Sequence, residues 1–417
     1  MLTSNTIKQR ALEVGFDFVG IAHPSAVKDL QFLPGWVKQG FGGEMSYLAD
    51  PKREDPSRVL PSVKAIICAG LIYNTLFPYS TEVSDSGGSA TPPNPSAAAG
   101  DVRARAWISR YAWGRDYHDV MRSKLEQLRT ALENLAPHVG TRVFVDTGPI
   151  VERAFARLTG IGWMGKNTCL INEQKGSWFF LGVILTNLDL ESDLPAPDRC
   201  GSCTRCLEAC PTGALVGPYV MDASRCISYF NIELRGTIPE TFRAAIGRNV
   251  FGCDICQDVC PWNNRPLSAV RSPLPADNSR DEKSGEASAL GRAGTTNVPE
   301  FQPTLVEAKF REKLPQNSSE DESGGQLSTN EPFSLFNPTL ENLAAITEED
   351  FRRIFAHSPI KRAKYRSWLR NLCVVMGNSG DRRSIPWLEV KADHPDPVVR
   401  EHAAWALRRL QGRGERS

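Results

Sequence analysis

Nothing in this 417-residue chain is apolar for long enough to cross a membrane: its longest apolar run, around Trp178 to Leu185, falls far short of the roughly 20 residues a spanning helix needs. The first residues, MLTSNTIKQRALEVGF, carry no apolar core followed by a small-residue cleavage site, so a soluble, cytoplasmic protein without a membrane partner is expected. Charge of one sign is missing as well. The 49 Lys and Arg against 48 Asp and Glu leave a net charge of +1, which excludes a globally basic nucleic-acid binder and an acidic solubilising protein. Any nucleic-acid surface must therefore be local. With 41% hydrophobic residues the chain has material for several cores, about three domains' worth by length.

What is present in excess is cysteine in one place. Of 11 cysteines, eight fall between Cys200 and Cys260, while Cys68, Cys169 and Cys373 are scattered and read as core residues. A large chain without a secretion signal has no need of disulfide staples and sits where thiols stay reduced, so the cluster reads as metal ligation. Cys200, Cys203, Cys206, Cys210 and Pro211 spell C-x2-C-x2-C-x3-C-P, the run of two-cluster bacterial ferredoxins. Cys253, Cys256, Cys260 and Pro261 repeat its last part, and Cys226 supplies the thiolate the shorter run lacks. In such ferredoxins the last Cys of each run ligates the other cluster. That rule predicts one [4Fe-4S] cluster on Cys200, Cys203, Cys206 and Cys260 and a second on Cys210, Cys226, Cys253 and Cys256. Two structural zinc ions are the competing reading, disfavoured by the three-Cys run ending in Cys-Pro.

Along the chain, the pattern from Asn5 to Ala22 predicts a helix running into a strand, and Val63 to Asn74 a buried strand. A helix over His118 to Leu135, a strand through Val143, Phe144 and Val145, a helix over Glu152 to Leu158 and a strand over Trp178 to Leu188 complete an α/β (α+β) domain, residues 1–194. Residues 81–100, rich in Ser, Gly, Pro and Ala, read as an exposed insertion. A double-cluster ferredoxin-like domain is expected over 195–272, and a low-complexity linker over 273–331. The linker holds 11 acidic against 6 basic residues from 277 to 331 and a short helix around Phe301 to Leu314. Residues 332–417 read as a helical, HEAT-like region with turns at Gly377-Asn378 and Asp396-Pro397. From Phe351 to the end, 15 basic against 6 acidic residues give +9, which makes Lys361, Arg362, Lys364 and Arg366 candidate phosphate contacts.

Asp146 stands at a predicted strand end, before Thr147-Gly148-Pro149 and the glycine-rich turn that includes Lys166 and Asn167. It can cap the next helix, or serve as an acid where α/β folds place catalysts. Asp116, Tyr117 and His118 lie in a dense polar block that suits a pocket wall. Asp116 to Met121 nearly spells the D-x-H-x-x-G corrinoid motif, but Met121 replaces the glycine, so His118 is not assigned as a cobalt ligand. Gly160, Gly162 and Gly165 form a G-x-G-x-x-G that precedes a strand, a weak dinucleotide signal.

The blocks ISRYAWGRDYHDVM (Ile108 to Met121), VDTGPIVERAFARLTGIGWMGKNTCLI (Val145 to Ile171), CGSCTRCLEACPTGAL (Cys200 to Leu215), RCISYFNIELRG (Arg225 to Gly236) and GCDICQDVCPWN (Gly252 to Asn263) resemble the epoxyqueuosine reductase family. The resemblance covers most of the chain, in order. It implies an oxidoreductase that uses cobalamin and two [4Fe-4S] clusters to reduce the epoxide of epoxyqueuosine at the tRNA wobble position, the last step of queuosine synthesis. It further implies Asp146 as proton donor and corrinoid contacts at Arg53, Lys166, Asn167, Leu170, Ser228 and Asp254. Ser109 stands where some members carry Cys, so no thiol can act there. A donor at Asp146 is expected to have its pKa raised by burial. An electron donor such as a flavodoxin or ferredoxin and a monomeric state are expected. A ferredoxin-like carrier without its own substrate, or a dehalogenase-type corrinoid enzyme on a small molecule, are the alternatives.

Overall fold

The computed structural model describes residues 3–25, 28–83, 103–264, 294–306 and 332–412. The predicted insertion lies, from residue 84 on, outside the described residues, as do residues 265–272 at the end of the predicted cluster domain and 273–293 and 307–331 of the predicted linker. Helix α1 (Ser4–Val14) starts where the Thr3 side chain accepts the Thr6 N–H and ends on Gly15 at φ 92°. It leads into strand β1 (Phe18–Ala22). Strands β2 (Ala65–Ile72), β3 (Thr141–Phe144) and β4 (Phe179–Thr186) complete a four-stranded sheet in the order β1-β2-β4-β3, every pair antiparallel.

The unbroken apolar run of β2 has a simple cause, because both faces of the sheet are covered. Ile67, Ala69 and Leu71 pack with Ile7 and Ala11 of α1 and with Met121, Leu125 and Leu128 of helix α2 (Tyr117–Leu135). Ile66, Cys68 and Ile72 face the other way, onto Ala154, Phe155 and Ala156 of helix α3 (Glu152–Ala156). The sheet is therefore antiparallel inside an α+β frame. The rule that parallel sheets place catalysts at their carboxyl ends does not account for Asp146, which hangs on the turn after an edge strand.

Part of the predicted linker is built into the core. Phe301 is 3% exposed with its ring 5.0 Å from that of Phe180, and Leu305–Val306 pairs with Phe333–Ser334 as two short strands. Residues 299–301 form a single 3-10 turn, so the helix expected from Phe301 is not formed over the described residues. In the C-terminal region, helices α4 (Lys364–Ser379), α5 (Ile385–Ala392) and α6 (Pro397–Gln411) share one core with Trp107, Phe230 and Val250. The expected Gly377-Asn378 turn is instead inside α4. A Cβ on Gly377 would meet Trp405 at 2.8 Å and the Ala406 backbone at 2.9 Å, so glycine there serves close packing of α4 on α6. The Asp396-Pro397 signal holds as a helix start, with the Asp396 carboxylate accepting the Val398 N–H. Among the described residues no helix is long and apolar enough to cross a membrane.

Candidate active site

Asp116 caps α2 by accepting the His118 N–H, which presents Tyr117 and His118 on the first turn of the helix. The Tyr117 ring lies between His118 (centroids 4.1 Å apart) and Phe180 of β4 (4.3 Å), so its hydroxyl direction is fixed by stacking. That hydroxyl donates to Asp146 Oδ2 at 2.7 Å. His118 Nδ1 sits 2.7 Å from Asp116 Oδ1, and its Nε2 lies 3.5 Å from Asp146 Oδ2, a charge contact too long for a good hydrogen bond. Lys361, from just before α4, reaches the other Asp116 oxygen at 2.8 Å. Sequence reasoning brought the Asp116-Tyr117-His118 block and Asp146 forward separately, and the fold joins them through the Tyr117 hydrogen bond and the His118 charge contact.

The electrostatics run against one expectation. Desolvation by the surrounding atoms pushes the Asp146 carboxyl up, but the charge of nearby His118 and the Tyr117 hydrogen bond outweigh it and hold Asp146 at about 2. Although 56% of its side-chain area is open, Asp146 is thus an anion at neutral pH, not the raised acid expected. The proton resides next door. Burial lowers the His118 imidazole, yet Asp116 and Asp146 together carry it up to about 9. Asp116 itself is desolvated, but its bonds from His118 and Lys361 keep it well below the usual carboxylate range. Glu152, at the start of α3, is pushed up to about 7 by burial and by the Asp146 charge.

Three residues around Asp146 were not singled out beforehand, Tyr47, Glu152 and Glu233, and a fourth, Arg362, was named only as a phosphate contact. The Arg362 guanidinium pairs with Glu233 at 2.5 Å and lies 5.8 Å from the Tyr47 ring centre, while Arg53 lies 5.6 Å from the same ring. Glu233 rides on a π-helical turn, Tyr229–Glu233, that follows Cys226 and Ser228. No local pattern marks these positions, since their neighbours come from distant parts of the chain. In the basic C-terminal tract, Lys361, Arg362 and Arg366 each pair with an acidic side chain, Asp116, Glu233 and Asp396, while part of each basic side chain stays open to solvent.

The eight clustered cysteines converge in two groups. One cavity is walled by Cys200, Cys203, Cys206 and Cys260 together with Lys166, Asn167 and Trp262. The Cys226 thiol feels Cys210, Cys253 feels Cys226, and Cys256 feels Cys253 and Cys226. Cys169 also lies against Cys256. The six residues implied as corrinoid contacts have varied surroundings. Lys166 Nζ donates to Gly201 O (2.6 Å) and Cys203 O (2.9 Å), and Asn167 Nδ2 donates to Cys256 O (3.1 Å). Buried Asp254 accepts from Trp107 Nε1 (2.9 Å), the Arg110 N–H (2.8 Å) and the Ser109 hydroxyl. Leu170 is core, Ser228 is half-buried beside Cys226, and Arg53 borders Tyr47. A separate open cavity of about 950 Å3 is mainly apolar, with Phe32, Trp36, Val151 and Tyr219 among its walls and Arg153, Arg157 and Thr168 beside them. None of those six residues lines it.

Two families match: residues 199–263 fit a "4Fe-4S double cluster binding domain", and residues 53–147 fit "Epoxyqueuosine reductase QueG, DUF1730". Epoxyqueuosine reductase of Pseudomonas aeruginosa is 36% identical over 97% of this chain and 94% of its own length. The chain belongs to the epoxyqueuosine reductase family. The Escherichia coli family member is 32% identical over 96% of this chain and 88% of its own length. Among solved structures, an epoxyqueuosine reductase with an epoxyqueuosine-modified tRNA-Tyr stem loop matches with TM-score 0.72 and 28% identity, over 97% of this chain and 89% of that one. The Bacillus subtilis member, solved with its catalytic aspartate loop swung out of the active site, matches with TM-score 0.71 and 27% identity, over 97% of this chain and 90% of that one.

Proposed function

We propose that this protein reduces epoxyqueuosine to queuosine at the wobble position of tRNA. The observation that carries the reading is the joining of Asp146, Tyr117 and His118 into one proton-holding group on the frame of this family, with a double-cluster domain in the same chain. Opening an epoxide to an alkene consumes two electrons and two protons and releases the oxygen as water, so the site must hold protons and exclude competing water. The cluster ligands are Cys200, Cys203, Cys206 and Cys260 for one [4Fe-4S] centre and Cys210, Cys226, Cys253 and Cys256 for the other. The common cavity of the first set and the mutual proximity within the second support this division.

Cobalamin fits the chemistry of the large cavity, whose apolar walls suit a corrin face and whose Arg153 and Arg157 suit its phosphate. When bound, it supplies a metal centre able to deliver both electrons to carbon or oxygen. Arg153 and Arg157 would then touch it directly, whereas Arg53, Lys166, Asn167, Leu170, Ser228 and Asp254, none of which lines that cavity, would act only through the loops around it. Lys166 and Asn167 do so by fixing the backbone of the cysteine runs. Asp146 delivers the first of the two protons, and the second is taken up from solvent once the first has gone. In the resting site His118 stores the first, and a nucleoside that covers the open face of Asp146 and strips its water raises the carboxylate's proton affinity enough to draw that proton across. Tyr47, 44% exposed between two guanidinium groups, offers an unstacked base a ring and its phosphates two cations. We take the protein to act in the cytoplasm as a monomer fed by a flavodoxin- or ferredoxin-class donor. The test is anaerobic incubation of the iron- and cobalamin-loaded protein with epoxyqueuosine tRNA and a low-potential reductant. Mass spectrometry of the released nucleoside should show loss of one oxygen, and no loss would overturn the reading.

A further inference from the structure

We propose that Glu152 is a positioning residue for this reaction, the latch that holds the Asp146 turn folded toward Tyr117 and His118. The inference rests on the reading of Asp146 as proton donor and concerns how that side chain is kept in place.

Asp146 is the middle residue of a three-residue turn. The Thr147 N–H donates back to Val145 O at 2.6 Å, and Asp146 sits at φ +54°. A turn closed over two residues with a positive φ at its centre is rare and strained, and it persists only where its surroundings hold it. The chain immediately after it is crowded, since a Cβ on Gly148 would meet Phe144 Cδ1 at 2.2 Å. Two grips act on the turn. One is on the side chain, from Tyr117 and His118. The other is on the backbone, where the Asp146 N–H donates to Glu152 Oε1 at 2.7 Å.

Glu152 is well placed to bear load. Its helix α3 is anchored under the sheet by buried Ala154, Phe155 and Ala156, so its carboxyl projects from a fixed base. Setting a second carboxyl beside an anionic Asp146 is electrostatically unfavourable, and the proton affinity of Glu152 is raised first by burial and then by that charge.

Hydrogen exchange of the peptide covering residues 145–151, measured on the loaded holoprotein, tests the latch. Glu152→Ala should speed exchange there while β2 and β4 stay protected. Turnover should fall about 10- to 100-fold through kcat, with KM for tRNA nearly constant, as expected for a displaced acid. Glu152→Gln keeps an acceptor oxygen and should restore slow exchange and most of the turnover. Should Glu152→Ala open α3, Glu152→Met fills the space without accepting and carries the same expectation. Unchanged exchange in the variant that lacks an acceptor, or a Gln variant as loose as the Ala variant, overturns the proposal. Exchange is read without turnover, so it judges the latch independently. Full activity of Asp146→Asn would instead remove the donor reading beneath it.

Discussion

Between Ala65 and Thr186 the sheet holds itself up with apolar side chains: every residue of β2 and all but one of β4 are buried, under helices on both faces. Between Cys200 and Ala223, by contrast, only Thr212, Ala214, Leu215 and Ala223 are buried, and the longest element is the five-residue helix Arg205–Ala209. The first region can bear a strained turn and a chain of ionised groups because its scaffold is independent of them. The second has too little apolar surface to define its own shape, so ligation of its thiolates to clusters must supply order as well as a path for electrons.

The largest effect should come from breaking that difference directly. Stripping iron with a chelator under anaerobic conditions should abolish turnover and expose residues 200–226 and 253–260 to rapid hydrogen exchange, while β2 and β4 keep their protection. Equal loss in both regions would mean that the sheet leans on the clusters too. Next in size is Asp146→Asn, which touches chemistry without scaffold. Removing a general acid typically costs about 10² to 10⁴ in rate, so single-turnover reduction should slow by that order with iron content and tRNA affinity intact. A wild-type rate would take Asp146 out of the mechanism and turn attention to His118.

The pH dependence of stability sharpens the same contrast. His118 is raised from its ordinary 6.5 to about 9 by Asp116 and Asp146, despite burial. A group raised on folding stabilises fully below its unfolded value and loses that contribution as pH climbs through the folded one. The pairing should therefore be worth up to about 3 kcal/mol at pH 6 and little above pH 9.5. Thermal melts of wild type and His118→Gln should differ at the lower pH and converge at the higher. A constant gap would show that packing, not charge, is what His118 supplies.

How much of this was legible beforehand follows from how local each signal is. The C-x2-C runs, the β2 apolar stretch and the Asp396-Pro397 helix start depend on residues within one or two turns of each other, and the sequence reading met them in place. Strand pairing is not local. The 68 residues between Ile72 and Thr141 gave no sign that their strands would join one antiparallel sheet, so the strand-end argument that nominated Asp146 is not supported by the sheet. Gly377 read as a turn because the Trp405 that needs its missing side chain is a helix away. The pKa of Asp146 was missed for a related cause: burial was foreseen, but the imidazole that overrides it could be placed only by the fold.

The smallest expected effect concerns Lys361, where the two regions meet the C-terminal helices. Its ammonium is half exposed, so the ion pair with Asp116 is screened, and Asp116 keeps its bonds to the His118 ring and backbone without it. Lys361→Ala should cost about 1 kcal/mol or less in stability. It also removes a cation that competes for Asp116, so the His118 imidazole should titrate at a still higher pH, a shift visible by NMR. The same variant decides how the basic tract is used. A lysine spent on Asp116 releases no counterion when RNA binds, and the salt dependence of tRNA affinity should then stay as in wild type. A phosphate contact would lower the slope by about one. A lowered slope with an unmoved His118 would return Lys361 to the RNA surface and detach the C-terminal region from the proton-holding group.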